Sequence, residues 1–219
     1  MYHPNLEEFL KLTKKGNVIP VYKEINADLD TPVSSFLKIK KDEYSFLLES
    51  VEGQEKIARF SFIGTKPSLV IKTKGRDIYV LRPREKGSLH YQTKTDPLNE
   101  IKKIMRGFNP VSINGLPRFC GGLVGYLGYD MVRFFEAIPD KNKDELNLND
   151  AVFMLTDTLL VFDHVKHTIK IVSNIILPQG KKPVGLKEKK GIYNKALRKI
   201  NGIHKELSRP LSAREIEYG

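Results

Sequence analysis

The sequence has a single cysteine, Cys120, and no tryptophan among its 219 residues. One cysteine can form neither an internal disulfide nor a thiolate cluster for a metal, so we expect a protein of the reducing cytoplasm. No apolar run approaches the roughly 20 residues that a membrane-spanning helix needs. The first residues, MYHP, do not resemble a signal peptide. The sequence therefore argues against a secreted disulfide scaffold and against a membrane partner.

Basic residues outnumber acidic ones, 37 to 26, which gives a formal net charge of +11. The densest basic run, residues 181–209, has Tyr193 as its only aromatic residue, whereas surfaces for single-stranded nucleic acid combine basic grooves with several aromatic side chains. We therefore interpret the run as the solvated face of a helix and expect no nucleic-acid partner. A stand-alone basic binding module that contacts nucleic acid through this helix is the alternative from another class, and a steep fall of affinity with salt would identify it.

Hydrophobic periodicity predicts strands at residues 18–25, 44–49, 59–63, 68–73, 77–82, 90–93, 151–162 and 168–177. Helices are predicted near residues 6–13, 31–37, 96–105 and 187–207. Pro20 cannot donate to a strand ladder, so its strand is expected at a sheet edge or at a bulge. Gly191 and Gly202 are unfavourable inside the last helix. A few packed helices with mostly antiparallel sheets indicate the α+β class.

Glycines recur at every third position in the run GGLVGYLGYD, at Gly122, Gly125 and Gly128. A phosphate-binding loop would need the spacing G-x-G-x-x-G or a Gly-Lys-Ser/Thr sequence, and neither is present. Glycines inside a strand more often mark a close backbone approach or a bulge. We therefore predict a structural role for this run.

Other polar patterns carry weak functional signals. His164 and His167 flank a tight turn as H-x-x-H, but no third metal ligand lies nearby in the sequence, so we interpret them as polar residues of a hairpin tip. Cys120 is interpreted as a small buried apolar residue. Asp130 and Arg133 are one helical turn apart, and a local ion pair is expected. No residue is predicted to be catalytic or to bind a metal.

Residues 44–64, YSFLLESVEGQEKIARFSFIG, carry the strongest candidate site. Two strands joined by a polar connection bring a mixed set of side chains to one end of an antiparallel pair, namely Leu48, Glu49, Ser50, Arg59 and Ser61. Such a set could receive a small zwitterion with an apolar body, and Arg59 could hold a carboxylate bidentately. The simpler interpretation is a salt bridge at the end of the ladder with a turn cap.

One geometric limit applies to this site. Neighbouring side chains of a regular strand face opposite ways, so Glu49 and Ser50 cannot both enter one pocket. We therefore expect Ser50 to contribute its side chain from the turn, while the backbone on either side meets the ammonium or carboxylate of the ligand.

Three blocks of the sequence resemble anthranilate synthase component I. The run LLESVEG followed by RFSFIG is similar to a signature near the start of that family, residues 16–38 resemble its opening, and residues 121–136 resemble its next block. The blocks occur in the family's order and cover most of the chain up to about Asn174. The resemblance implies that residues 1–210 form the amino-terminal, tryptophan-sensing region, with Leu48, Glu49, Ser50, Arg59 and Ser61 in the tryptophan site.

The family makes anthranilate and pyruvate from chorismate and ammonia, which a separate glutaminase subunit (component II) releases from glutamine. The resemblance implies that Mg²⁺ and the catalytic residues lie in a carboxy-terminal chorismate-binding domain, and no stretch of this sequence matches that domain or the family's Pro-Ser-Pro-Tyr-Met segment. Residues 211–219 are accordingly expected to begin a linker. Aminodeoxychorismate synthase component I shares this architecture and remains an alternative, although the RFSFIG block favours the anthranilate enzyme.

Overall fold

The computed structural model describes residues 1–40, 43–49, 59–84, 87–139, 141, 143–178 and 184–211. In chain order, the strands of this part are β1 (Tyr2–His3), β2 (Val18–Asn26), β3 (Ser45–Leu48), β4 (Phe60–Thr65), β5 (Leu69–Lys74), β6 (Asp77–Leu81), β7 (Ser88–Gln92), β8 (Gly122–Leu127), β9 (Ala151–Thr156), β10 (Thr158–Asp163) and β11 (Thr168–Ile176). The helices are α1 (Leu6–Leu12), α2 (Pro32–Ile39), α3 (Pro97–Met105) and α4 (Leu186–Leu207), with a 3₁₀ helix at Tyr129–Phe134. Ser50, the polar connection at 51–58 and the expected linker from residue 212 onward lie outside the described residues.

The chain forms two compact units. The first contains Met1–Lys66, Phe108–Gly121 and the chain from Asp157 onward, and its sheet has the order β1-β2-β11-β10-β4-β3. The second contains Pro67–Gly107 and Gly122–Thr156, with the sheet order β7-β6-β5-β9-β8. Neighbouring strands in both sheets pair antiparallel. The predicted α+β class is confirmed.

The helices begin where side chains satisfy their free N–H groups. The Asn5 side chain accepts from the Glu8 backbone and the Glu8 carboxylate accepts from the Asn5 N–H, a reciprocal capping box at the start of α1. Thr31 caps α2 in the same reciprocal way with Ser34. Asp96 caps α3 immediately before Pro97, whose missing N–H needs no partner at this position.

Helix α4 is continuous in spite of Gly191 and Gly202. Its buried side chains, Tyr193, Ala196, Ile200 and Leu207, recur at intervals of three, four and seven and form one apolar stripe. Burial of this stripe outweighs the helix-breaking tendency of two glycines, about 1 kcal/mol each.

The sheet of the first unit buries apolar side chains on both faces. One face packs against α1, α2 and α4 and contributes Ile19, Val21, Ile63, Leu160, Phe162, Ile169 and Ile171 to the larger core. The opposite face carries a smaller cluster of Tyr22, Leu159, Val161 and Val172, with Phe60, Phe62 and Phe119 packed against it. The alternation of these residues along β4, β10 and β11 follows the two-residue period of a strand.

The predicted single strand at 151–162 is wrong, because Asp157 interrupts it and separates two strands, β9 and β10. Strand β9 belongs to the sheet of the second unit and β10 to that of the first. The carbonyl of Asp157 accepts from the Asn174 N–H at 2.6 Å, and its carboxylate accepts from Lys199 Nζ at 2.8 Å. Hydrophobic periodicity alone could not locate this break, since apolar residues continue on both sides of it.

Pro20 lies in a strand that is only partly covered on one side. Strand β2 pairs along its whole length with β11, whereas β1 pairs with β2 only at Tyr22 and Lys23. The predicted edge position is therefore wrong for the sheet, since β1 lies outside β2, although the pairing of β1 with β2 does not extend to Pro20.

Two glycines of the run, Gly125 in β8 and Gly128 directly after it, have the structural role that the sequence predicts. A Cβ atom added at Gly125 would lie far inside contact distance of the Val152 carbonyl oxygen and 2.8 Å from the Phe153 Cα. At Gly128, an added Cβ would lie 2.9 Å from the Asp150 carbonyl oxygen. Both clashes are with backbone, which cannot swing aside as a side chain can, so these positions require glycine.

We expect Gly125→Ala to lower the free energy of unfolding by about 2 kcal/mol or more, because the added methyl group overpacks β8 against β9. The matched control is Gly191→Ala, where nothing lies within 4 Å of an added Cβ. That variant should raise stability by about 1 kcal/mol, the difference between alanine and glycine inside a helix. Chemical denaturation of the three proteins tests both signs, and equal stabilities of the Gly125→Ala variant and the wild type would contradict the close approach.

Candidate functional site

Strands β3 and β4 form the antiparallel pair that the sequence predicts. Ser45 lies opposite Thr65 and Leu48 opposite Phe62, so Glu49 and Arg59 stand at the same end of the pair. Ser50 lies outside the described residues, and its place in the site stays a prediction.

The predicted site residues lie on two faces of the sheet. Leu48 shares a face with its partner Phe62, which belongs to the smaller apolar cluster. Ser61 alternates with Phe62 along β4 and lies opposite Phe162, on the helix-covered face. Leu48 and Ser61 therefore cannot line one pocket while β4 remains regular.

Arg59 holds a carboxylate bidentately, and that carboxylate belongs to the chain itself. Its Nε donates to Asp163 Oδ1 at 3.0 Å and its Nη2 to Asp163 Oδ2 at 2.7 Å. Asp163 lies opposite Phe60 at the end of β10 and is 2% exposed, whereas the Arg59 side chain is 37% exposed. The guanidinium carbon also stands 4.9 Å from the centre of the Phe60 ring. A salt bridge at the end of the ladder is therefore present, but its acid is Asp163, which lies outside the predicted set, and the predicted turn cap falls outside the described residues.

The surroundings of Asp163 favour its charged form. Burial alone would raise the pKa of this carboxyl group, but the Arg59 hydrogen bonds, the Lys166 backbone N–H and the positive charges of Arg59 and Lys170 together lower it. Lys170 is itself buried at 3% exposure and pairs with Glu24 at 2.8 Å across the neighbouring strand. Asp163 is thus an ionised buried carboxylate with its charge compensated by several donors.

Ser61 is 1% exposed, and its Oγ lies 2.7 Å from His164 Nε2. The backbone N–H of His164 donates to the Arg59 carbonyl at 2.9 Å. His167 does not share this role, since it occupies a left-handed turn position at φ +52°. Among the described residues, no three His, Cys, Asp or Glu side chains are grouped to hold a metal ion. The H-x-x-H pattern therefore contains one histidine bonded to β4 and one that shapes the turn.

Glu49 and the pair of Asp130 and Arg133 lie where the sequence predicts them. Glu49 is exposed at the end of β3. The expected local pair between Asp130 and Arg133 is present, with a 2.8 Å bond from Arg133 Nε to Asp130 Oδ1, although the turn is a 3₁₀ helix. Arg133 Nη1 also donates to the carbonyls of Ile138 and Pro139, so this pair fastens a loop of the second unit.

Asp163 and His164 also belong to this end of the sheet, which the sequence did not predict. The predicted hairpin tip with His164 lies about 100 residues further along the chain than Arg59 and Ser61. The signal that could have found them is a buried carboxylate at the end of an apolar strand, which needs a cation. Only the pairing of β10 with β4 brings that carboxylate to Arg59.

No protein-family model matches the chain. Curated relatives do. Anthranilate synthase component 1 of Acetivibrio thermocellus is 38% identical over 207 residues, which are 94% of this chain and 40% of the relative. The protein of the same name from Aquifex aeolicus is 42% identical over 177 residues, covering 80% of this chain and 35% of the relative. A probable anthranilate synthase component 1 of Schizosaccharomyces pombe is 35% identical over 212 residues, or 95% and 38%.

A solved structure has the same fold. The crystal structure of anthranilate synthase component I from Streptococcus pneumoniae TIGR4 aligns with a TM-score of 0.55 at 23% identity, over 89% of this chain and 38% of that one. The resemblance seen in the sequence is therefore confirmed, and the chain spans about 40% of the length of these relatives. In the part of the chain that the structure describes, no helix is long and apolar enough to cross a membrane.

The pKa of Asp163 predicts a pH dependence of stability. Because the folded state lowers this pKa, ionised Asp163 stabilises the fold at pH values above its unfolded pKa of about 4. This stabilisation disappears as the pH falls through the lower folded value. We expect Asp163→Asn to lower the melting temperature by several degrees at pH 7 and to have a smaller effect below pH 4, where the wild type loses the same interaction. Thermal unfolding from pH 7 to pH 2 measures this, and an undiminished difference at low pH would contradict it.

Proposed function

We propose that this chain is the amino-terminal portion of an anthranilate synthase component I and carries part of its tryptophan feedback site. The observation that carries the proposal is 38% identity over 94% of the chain with a relative of that name. The likeness of the fold to a solved component I supports it. The complete protein would act as a lyase on chorismate and ammonia, giving anthranilate and pyruvate for tryptophan biosynthesis in the cytoplasm.

The proposed enzyme needs parts that we place outside this chain. Component II, a glutaminase subunit, would supply ammonia, and a chorismate-binding domain would carry the reacting groups and the Mg²⁺. The described residues contain no cluster suited to a metal ion, so they do not fit a Mg²⁺ site. The proposed role of this chain is to bind L-tryptophan and to respond to it.

The effector site is proposed at the open end of β3 and β4. Glu49 is exposed there, and Arg59 remains 37% exposed while two of its N–H groups bind Asp163. A guanidinium has five N–H donors, so Arg59 can keep Asp163 and still donate to a ligand carboxylate. Leu48, 45% exposed, offers apolar surface on the same face as Phe62. Ser61 is buried and bonded to His164, so in this arrangement it supports the site from behind β4.

Feedback inhibition requires that tryptophan bind one conformation of the enzyme better than another. The coupling between two sites is typically about 1–3 kcal/mol. A site that loses a hydrogen-bond partner or its free volume can lose that whole amount, since an unmade buried hydrogen bond costs about 1–3 kcal/mol.

The isolated chain should form no anthranilate from chorismate, ammonia and Mg²⁺, because the catalytic residues of the proposed enzyme lie in another domain. Anthranilate fluorescence measures the reaction, and the complete protein under the same conditions is the positive control. Robust turnover by residues 1–219 alone would remove the proposed division of labour.

Ser50→Phe in the complete enzyme should abolish inhibition by tryptophan and leave turnover largely intact. A ring at this position would occupy the volume proposed for the effector and would remove a hydroxyl partner. Inhibition curves and uninhibited rates, measured side by side for wild type and variant, test the prediction. Unchanged sensitivity would exclude Ser50 from the site, and lost turnover with retained inhibition would point to a catalytic role instead.

A further inference from the structure

We propose that Asp163 and His164 are positioning residues of the effector site, which hold Arg59 and Ser61 in the geometry that tryptophan binding requires. The inference rests on the proposed function, because it concerns the same site. It adds Asp163, the last residue of β10, and His164, the first residue of the turn that follows, for which the sequence predicts a polar hairpin tip.

Asp163 and His164, consecutive residues where β10 ends and the turn begins, contact β4 from its two faces. Asp163 lies opposite Phe60 and binds the Arg59 side chain through both carboxylate oxygens. His164 follows on the other face, with its ring nitrogen 2.7 Å from Ser61 Oγ. Between these side-chain contacts, the His164 N–H donates to the Arg59 carbonyl at 2.9 Å. The backbone and both faces of residues 59–61 are thereby fixed by Asp163 and His164 together.

The bidentate contact also fixes the orientation of the Arg59 guanidinium. A single hydrogen bond would let the planar group rotate, but two parallel bonds from Nε and Nη2 define its plane. Asp163 is itself held by the Lys166 N–H, so it can act as a fixed support. A ligand carboxylate that meets an already oriented guanidinium loses less conformational entropy on binding.

Ser61 lies as deep in the sheet as the residues of the larger apolar core, but its side chain is polar. Ser61 is 1% exposed and shares its face with Ile63, which is completely buried. The large majority of buried hydroxyl groups in proteins have a hydrogen-bond partner, and the exposed His164 provides one for Ser61. The contact therefore joins the interior of β4 to the surface beside the proposed site.

Asp163→Asn is the first test, made in the complete enzyme. An amide offers only one oxygen, so it cannot accept both Arg59 bonds, and its NH₂ group would face one of the two guanidinium donors. We expect the inhibition constant for tryptophan to rise at least about fivefold, the lower end of ordinary allosteric couplings. The measured quantity is the inhibition constant relative to each variant's own uninhibited rate, with KM for chorismate and the melting temperature recorded alongside.

Asp157→Asn is the matched control. Asp157 precedes β10 as Asp163 ends it, is 5% exposed, and binds Lys199 at 2.8 Å. The Lys199 side chain is 31% exposed, close to the value for Arg59. This variant also removes a buried carboxylate from an ion pair of the same unit, but at the opposite end of the strand. Tryptophan inhibition should therefore remain at the wild-type value, even where the melting temperature falls as far as in Asp163→Asn.

His164 is tested by loss and rescue. His164→Ala removes the partner of Ser61 and should raise the inhibition constant, whereas His164→Gln retains a hydrogen-bonding group near the position of Nε2 and should restore most of the affinity. His167→Asn, on the other side of the turn, suits a left-handed conformation and should have no effect.

The outcomes separate the two proposals. If Ser50→Phe abolishes inhibition while Asp163→Asn and His164→Ala keep it, the positioning role is overturned and the effector site stands. Equal losses of inhibition in Asp157→Asn and Asp163→Asn would also overturn it, since general destabilisation would then explain both. Loss in Asp163→Asn and His164→Ala, with rescue by glutamine, supports the role even if Ser50→Phe is still inhibited. A complete wild-type enzyme that tryptophan does not inhibit would overturn both proposals.

Discussion

The long pairing of β2 with β11 is the contact on which the first unit depends. Val18–Asn26 and Thr168–Ile176 match residue for residue across nine positions, although about 140 residues of chain lie between them. Side chains of a strand alternate between faces, so a shift of one residue would move the apolar set of β11 from the helix-covered face to the other. This register places Ile169 and Ile171 on the helix-covered face, whereas the separate pairing of β10 with β4 sets Asp163 opposite Phe60.

Charge at this end of the sheet is arranged around the same register. Glu24, Lys170, Asp163 and Arg59 come from neighbouring strands or strand ends and alternate in sign across the sheet. Lys170 and Asp163 are buried, and a buried charge is costly unless it is paired. Lys170 binds Glu24, and Asp163 binds Arg59. The pairing explains why a polar site can exist at the edge of a core that is otherwise aromatic and aliphatic. It also keeps Arg59 in place while leaving part of its guanidinium in solvent.

The second unit has a polar network of its own around Lys74 and Gly75. Lys74 reaches Asp144 and the Leu148 carbonyl, and Gly75 donates its N–H to the Asp150 carboxylate at 2.6 Å. These bonds fasten residues 143–150 to the β5–β6 turn. They form a mutually satisfied network of both signs, typical of a structural loop closure. The functional interest of the described residues therefore concentrates in the first unit, at the end of β3 and β4.

The sequence by itself determined the elements whose signals are local. Caps at Asn5, Thr31 and Asp96, the apolar stripe of α4 and the alternation around Phe60 and Phe62 depend on neighbours within a turn or a few strand positions. The sequence also predicted that Gly125 marks a close approach of two backbones.

Tertiary structure alone decided the break at Asp157, the partner of Arg59 and the bond between Ser61 and His164. The side-chain contacts Asp157–Lys199, Arg59–Asp163 and Ser61–His164 each join groups at least 40 residues apart in the chain, and which strand lies beside which is set by burial of the whole sheet. An arginine in a sequence indicates that its side chain can bind a carboxylate. Only the register of β10 against β4 shows that Asp163 provides that carboxylate for Arg59.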